Sequence, residues 1–433
     1  MKKLKAIMLY ACTVIVLPVC FTSCLKDKGS KKTIVYVPVF KTSADVRASI
    51  KSDAPLQVSH PGKMYVLGNY IFLNEVGQGV HIIDNSNPAT PVNKAFIHIP
   101  GNEDIAVKEN TLYADCFTDL MAIDITDPTN VHLKTFVPNI FPDRQYVMGY
   151  QLGENTVIAE WEARDTIVDI DVTNGQGIWR NGSFYTESPV YYDDLFYLFS
   201  TANASYNVPK SNSGKGVGGS MARFAIINNY LYTVTTSSLN VINIASSSQP
   251  QWVNKTDLNN GSIETIYPFT DKLFIGSQTG MHIYDVSNPE QPVAQGLFEH
   301  VRNCDPVIAD ENYAYVTLHA GTFCGGDLNE LEVLNIQDLY HPTLIKDYSL
   351  TSPHGLSKDG DLLFICDGMD GLKVFNAADA YNIQQLSQVS MAETYDVICI
   401  NKIAIVSAID GLYQFDYTDV NNIKQLSKIT IQQ

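Results

Sequence analysis

Basic residues are scarce: 29 Lys and Arg stand against 46 Asp and Glu, for a net charge of −17. Binding to a phosphate backbone needs a positive footprint, so nucleic acid is excluded as a partner. Long apolar runs are absent after the first 20 residues, so no later segment can span a bilayer. Helical periodicity is convincing nowhere. Also absent are a Gly-flanked nucleophile elbow, an HExxH motif and any Cys/His spacing suited to zinc, which removes the commonest hydrolase and metalloenzyme signatures.

What is present is a repeat. A short apolar strand ends in Asp or Asn and is followed by a polar turn that often carries Pro, as in GVHIIDNSNPATPV from residue 79 and GMHIYDVSNPEQPV from residue 280. The anchor recurs at Asp84, Asp124, Asp171, Asn243, Asp285, Asn335, Asn376 and Asp416, mostly 40 to 50 residues apart, with one gap of 72. A period near 40 with several short strands per unit is the signature of a β-propeller. The expected fold is therefore all-β, a propeller of four-stranded antiparallel blades, with eight blades counted. The alternative is seven, if the degenerate third unit (residues 146–184) is an insertion.

One unit reads clearly over residues 102–138: DIAV, TLYAD, LMAIDI and VHLKTF are strands separated by Asn, Asp and Pro turns. The anchor side chain can accept backbone N–H bonds two or three residues on, as an Asx turn. Asn serves as well as Asp, so turn geometry rather than charge explains the anchor. TIVYVPVF (residues 33–40) reads as an unpaired strand ahead of the first unit, and the chain ends on a last outer strand at residues 423–431. Closure of the ring then needs edge contact or help from the N-terminal strand.

The N-terminus carries Lys2, Lys3 and Lys5, then an apolar stretch over residues 6–19, too short for a span and suited to a secretory signal. It ends in Phe21-Thr22-Ser23-Cys24, which resembles a bacterial lipobox. The expected organisation is a lipoprotein signal peptide over 1–23, lipid on Cys24, a polar tether over 24–32 and a single propeller over 33–433. The membrane is then reached through the lipid alone. Of the cysteines beyond Cys24, Cys304 and Cys324 lie in one repeat and form a candidate disulfide closing a loop of about 20 residues, a bridge contributing about 3 kcal/mol. Cys116, Cys366 and Cys399 sit in strand-like runs as buried thiols.

Two features break the repeat. The long gap holds an insertion near residues 175–221, rich in aromatics (Tyr185, Tyr191, Tyr192, Phe196, Tyr197, Phe199, Tyr206) and ending in the Gly/Ser tract NSGKGVGGS. It is either an exposed binding platform or an extra hairpin packed on the propeller. Gly214, Gly216 and Gly219 match GxGxxG formally, but no βαβ unit surrounds them, so the tract reads as a flexible loop. The second feature is a ring of charge. Aligning the units places Lys63, Glu103, Arg223, Glu264, Asp305, His354 and Asp396 at or near the entry to each inner strand, where blades converge on the channel. Such a ring can bind a cation, a sugar or a charged peptide end, or it can serve as a structural belt. His354 with Asp305 and Glu264 is a candidate acid–base or metal cluster.

The strings VHIIDNSNPATPV, MAIDITDPTNV and MHIYDVSNPEQPV resemble the LVIVD repeat of secreted and surface bacterial propellers, with signal and lipobox similar to those of Bacteroidota lipoproteins. The resemblance implies the propeller fold and export to the outer membrane, facing the periplasm or the cell surface. It supplies no catalytic mechanism. Asp165-Thr166-Ile167 is similar to the O-glycosylation acceptor pattern of that phylum, making Thr166 a candidate site. The three tryptophans (Trp161, Trp179, Trp252) are too few for the docked blades of quinoprotein dehydrogenases, and no sialidase Asp box occurs. The expected function is a non-enzymatic, surface-anchored binding module for a protein or glycan, without cofactor. The rival is a hydrolase, lyase or lactonase-like enzyme using the channel ring, with Ca²⁺ as its possible ion.

Overall fold

The computed structural model describes residues 31–147, 150–153, 155–168, 178–180, 183–186, 217–258, 262–300, 306–320 and 327–431. Two compact units divide the chain: Met1–Pro38 with Trp161–Val190, and Val39–Glu160 with Tyr191–Gln433.

Among the described residues the chain is almost entirely β, and eight sheets are each built on four strands, the number expected. Seven are meanders of consecutive strands, which we number as blades 1 to 7. They cover residues 61–98, 105–137, 224–257, 263–299, 307–349, 356–389 and 394–430. Their first strands touch one another in succession from blade 1 to blade 7, so the inner edges line a common axis. The eighth sheet is assembled from strands distant in sequence, in the order Thr156–Val168, Lys31–Thr42, Ser183–Thr186 and Ile178–Arg180. The expected N-terminal strand is present, but it is not unpaired: it lies between Thr156–Val168 and Ser183–Thr186. Tyr36 pairs with Phe184 across this sheet, their rings 6.4 Å apart.

Each blade follows from its side chains. In blade 2 the strands run Ile105–Lys108, Thr111–Cys116, Asp119–Asp124 and His132–Val137, within about a residue of the sequence expectation. The second strand is buried throughout, as a strand covered on both faces must be, while the outer strand is mostly half-exposed. Leu112, Ala114, Met121 and Ile123 of this blade join Ile82 and Ile97 of blade 1 and Phe224 and Leu231 of blade 3 in one apolar cluster. Blade-to-blade packing of this kind, at about 25 cal/mol per Å² of apolar surface buried, holds the ring together.

The anchors behave as turn devices. Asp84, Asp124, Asn243, Asp285, Asn335, Asn376 and Asp416 each end the third strand of a blade. Each accepts the backbone N–H two residues on, at 2.8 to 3.0 Å. Asp171 lies outside the described residues. In five blades a second Asx turn follows three residues later, at Asn87, Asp127, Asp338, Asp379 and Asp419. The chain therefore reverses on two side-chain caps in series, and a bulge between the third and fourth strands completes the turn in all seven blades.

Among the described residues no strand is exchanged between blades 7 and 1. The seam is closed by Met64, Val66, Ile71 and Leu73 packing on Ile398, Ile405 and Leu412. The side-chain amides of Asn85 and Gln414 bond reciprocally across it at 2.9 and 2.7 Å. A further strand enters from an unexpected place. Val217–Gly218 pairs antiparallel with the inner edge of Pro61–Leu67, Gly218 opposite Tyr65. Residues 217–220 are buried. The end of the Gly/Ser tract, expected as a flexible loop, is thus a buried strand on the axial side of blade 1. Its glycines permit the close approach: a Cβ on Gly218 would sit 3.2 Å from the Tyr65 ring.

Candidate functional site

The entry ends of the inner strands bring three of the expected ring residues together. Lys63 lies in the first strand of blade 1, Glu103 just ahead of blade 2 and Arg223 just ahead of blade 3. Lys63 Nζ donates to the Met221 carbonyl at 2.9 Å and stands 4.0 Å from Asp104 Oδ2. Glu103 Oε2 lies 3.9 Å from the Arg223 guanidinium and 3.1 Å from that of Arg144. Arg144 also donates to Asp115 Oδ2 at 2.8 Å, and the Arg223 backbone N–H donates to Asp104 Oδ2 at 2.5 Å. Three cations and three carboxylates thus interlock at the mouths of blades 1 to 3. Burial lowers Lys63 to about 8 and raises Asp104 to about 6, each moderated by its opposite charges. Burial also raises Glu103, against the pull of Arg144. Repeat alignment missed Arg144, Asp104 and Asp115. Arg144 follows blade 2 in Pro142–Gln145, a short 3₁₀ turn with no counterpart in the other units among the described residues.

Elsewhere the ring disperses. In blade 4, Glu264 Oε1 accepts from Gln278 Nε2 at 2.9 Å. Asp305 lies outside the described residues. His354 does not join Glu264. Its ring lies 4.3 Å from His319 of blade 5 and 5.6 Å, edge-on, from Tyr395 of blade 7. Burial lowers His354 to about 4, and neighbouring His319 pushes the same way. Among the described residues, no group of three His, Cys, Asp or Glu side chains is placed to hold a metal ion.

Asp396 of blade 7 meets the inserted strand. Its Oδ1 accepts both the hydroxyl and the N–H of Ser220, at 2.7 and 3.2 Å. The same hydroxyl accepts from the Leu356 N–H of blade 6 at 2.7 Å. Asp396 Oδ2 is buried with no hydrogen-bond partner among the described residues. Burial raises this carboxyl to about 7, against the Ser220 bonds and the charge of Lys63.

Two buried acid–base pairs that sequence reading passed over sit at equivalent places in blades 1 and 6. Glu75 bonds His81 Nε2 at 2.9 Å, and Asp367 bonds Lys373. Glu75 accepts the His60 N–H at 2.7 Å, and Asp367 accepts that of Ser352 at 2.7 Å. Each acid therefore clamps the loop that enters its own blade, a structural role.

Of the insertion candidates, Tyr185 is half-buried in Ser183–Thr186, opposite Val35 and Ile178. Tyr191, Tyr192, Tyr197 and Tyr206 lie outside the described residues, as do Cys24, Cys304 and Cys324. Thr166 is half-buried on Thr156–Val168, beside Ile167, which is 71 % exposed. Cys116 and Cys366 are free and buried, as expected of core thiols, and Cys399 is free and half-buried.

The LVIVD repeat model matches residues 62–96 and 102–137. No curated protein matches the chain. Among solved structures, the periplasmic gluconolactonase of Pseudomonas aeruginosa aligns with TM-score 0.51 and 11 % identity over 85 % of this chain and 96 % of its own. A putative 6-phosphogluconolactonase from Bacteroides uniformis aligns with TM-score 0.52 and 10 % identity, over 86 % and 98 %. A Lactobacillus plantarum protein gives TM-score 0.51 and 12 % identity, over 86 % and 97 %. Identities this low establish the shared fold and nothing of the chemistry. The chain is a β-propeller whose first two blades match the LVIVD repeat model.

Proposed function

We propose that the protein is a non-catalytic binding propeller, exported and held at the outer membrane by lipid on Cys24, which engages a protein or glycan through its surface. One observation carries this reading: the inner edge of blade 1, where a channel site would open, is covered by the chain's own strand, and the charges beside it are mutually paired. A hydrolytic site needs a positioned acid or base within hydrogen-bonding reach of an open substrate position. Lys63, Glu103 and Arg223 are instead engaged with one another's neighbours and with backbone. Interlocked opposite charges of this kind hold blades in register.

The test combines chemistry and binding on the chain without its signal segment. Hydrolysis of glucono-δ-lactone and 6-phosphogluconolactone should stay at the uncatalysed rate, while a glycan array or a panel of surface proteins should return a saturable ligand. Lactone hydrolysis above background that disappears in Asp396→Asn or His354→Ala would establish the enzyme reading instead. The anchor is tested separately: metabolic labelling with an alkyne fatty acid should mark the membrane fraction, and Cys24→Ala should abolish the label.

A further inference from the structure

The strand at Val217–Gly218 is an addition to the propeller and not part of its plan. Blades 2 to 7 end, on their axial side, at their own first strand among the described residues; blade 1 alone carries another strand there. The segment is held chiefly through backbone. Val217 pairs with Val66 and Gly218 with Tyr65. The Gly219 N–H donates to the Met64 carbonyl at 3.0 Å, and the Ala222 carbonyl accepts from Ile266 N–H at 3.0 Å. A single side chain gives direction, the Ser220 hydroxyl set between Asp396 and the Leu356 N–H. Gly355 makes room for it, since a Cβ there would come within 2.5 Å of that hydroxyl. Strand addition to a free edge, with main-chain bonds for affinity and one polar pocket for specificity, is how sheet edges recognise extended peptides.

We infer that the axial edge of blade 1, with Asp396 and the Leu356 N–H, is a strand-docking site whose resident ligand, residues 217–221, can leave. The ligand class is an extended peptide of small residues with a hydroxyl at the fourth position, as in Val217-Gly218-Gly219-Ser220-Met221. Apolar anchoring of the segment rests on one side chain, Val217, which joins Met64, Val66, Ile398 and Ile405 in the seam cluster; two of its other four residues are glycine and one is serine. Elements with few buried apolar contacts open at lower cost than the core strands beside them. Departure uncovers the Asp396 carboxylate and the Lys63 ammonium together on the axis, so the strand is also a gate over the charged mouth.

The first test uses the intact chain. In hydrogen exchange followed by mass spectrometry at neutral pH, a fragment spanning 217–222 should exchange at least about tenfold faster than fragments from Tyr70–Glu75 and Ile403–Ala408. Exchange of all three in one concerted step would overturn the inference. The second test empties the site. A Gly219→Pro, Ser220→Ala double variant removes the Met64 bond and the hydroxyl, and should bind the synthetic peptide Gly-Val-Gly-Gly-Ser-Met-Ala at least about tenfold more tightly than the parent chain does. A variant that keeps the parental far-ultraviolet spectrum yet binds no peptide refutes docking. Should the variant not fold, the exchange result on the intact chain decides alone.

Discussion

The Ser220 hydroxyl donates to Asp396 Oδ1 at 2.7 Å across 176 residues of chain, tying the strand ahead of blade 3 to the inner strand of blade 7. The contact makes Asp396 the natural probe of how the axis responds to pH. Its folded value, about 7, lies above the 3.8 of a free aspartate. A raised acid contributes stability that is complete below the unfolded value and lost as pH rises through the folded one. Asp396→Asn mimics the protonated acid and cannot ionise. It should match the parent near pH 4 and exceed it near pH 8 by on the order of 1–3 kcal/mol. Urea unfolding at the two pH values measures this, and an offset that does not change with pH refutes the assignment.

Arg144 answers both Glu103 and Asp115 from a half-buried position. Truncation to Ala leaves two carboxylates in a poor dielectric without their cation. The loss should be about 3–5 kcal/mol. Arg144→Lys keeps the charge but not the fork, and should recover only part of it. Thermal unfolding of both variants separates charge from geometry, and equal losses would count against the fork.

The anchors offer a cleaner substitution series. Asp124→Asn keeps an acceptor for the Thr126 N–H and should shift stability by less than about 0.5 kcal/mol. Asp124→Ala removes it and should cost about 1 kcal/mol. Indistinguishable variants would mean the Asx turn adds nothing to the folded state.

Two glycines test backbone against space. Gly68 has φ +58° with nothing near its missing side chain, whereas a Cβ on Gly79, at φ +150°, would lie 1.9 Å from the Ile97 carbonyl. Gly68→Ala should cost about 1 kcal/mol from the dihedral alone. Gly79→Ala must displace the outer strand of blade 1 as well and should cost several-fold more. Unfolding midpoints of the pair give the comparison.

The blades were legible because a covered strand and a capped turn are local events. Ile105–Lys108 and its three successors are written in β-branched and aromatic residues, and Asp124 caps its turn wherever the chain folds. The axis was only half legible. Lys63, Glu103 and Arg223 emerged from alignment because they occupy repeated positions, but their partner Arg144 lies in a turn outside the repeat pattern. Ser220 was hidden for a different reason. A glycine-rich stretch reads as loose chain, and only the approach of Tyr65 and Met64 shows that the same glycines let one backbone lie against another. His354 was mispaired because a ring of equivalent positions does not say which neighbours touch, and its ring lies tilted against that of His319, 4.3 Å away.

Because Asn85 and Gln414 meet across 329 residues, the circle is sealed only when the final blade has been synthesised. Bringing such distant ends together costs chain entropy that local turns never incur, so long-range closure is slow. Until then blade 1 stands with its flank of Ile71 and Leu73 uncovered, and the nascent chain is a curved stack with two sticky ends. The seam between first and last blades is therefore where assembly finishes.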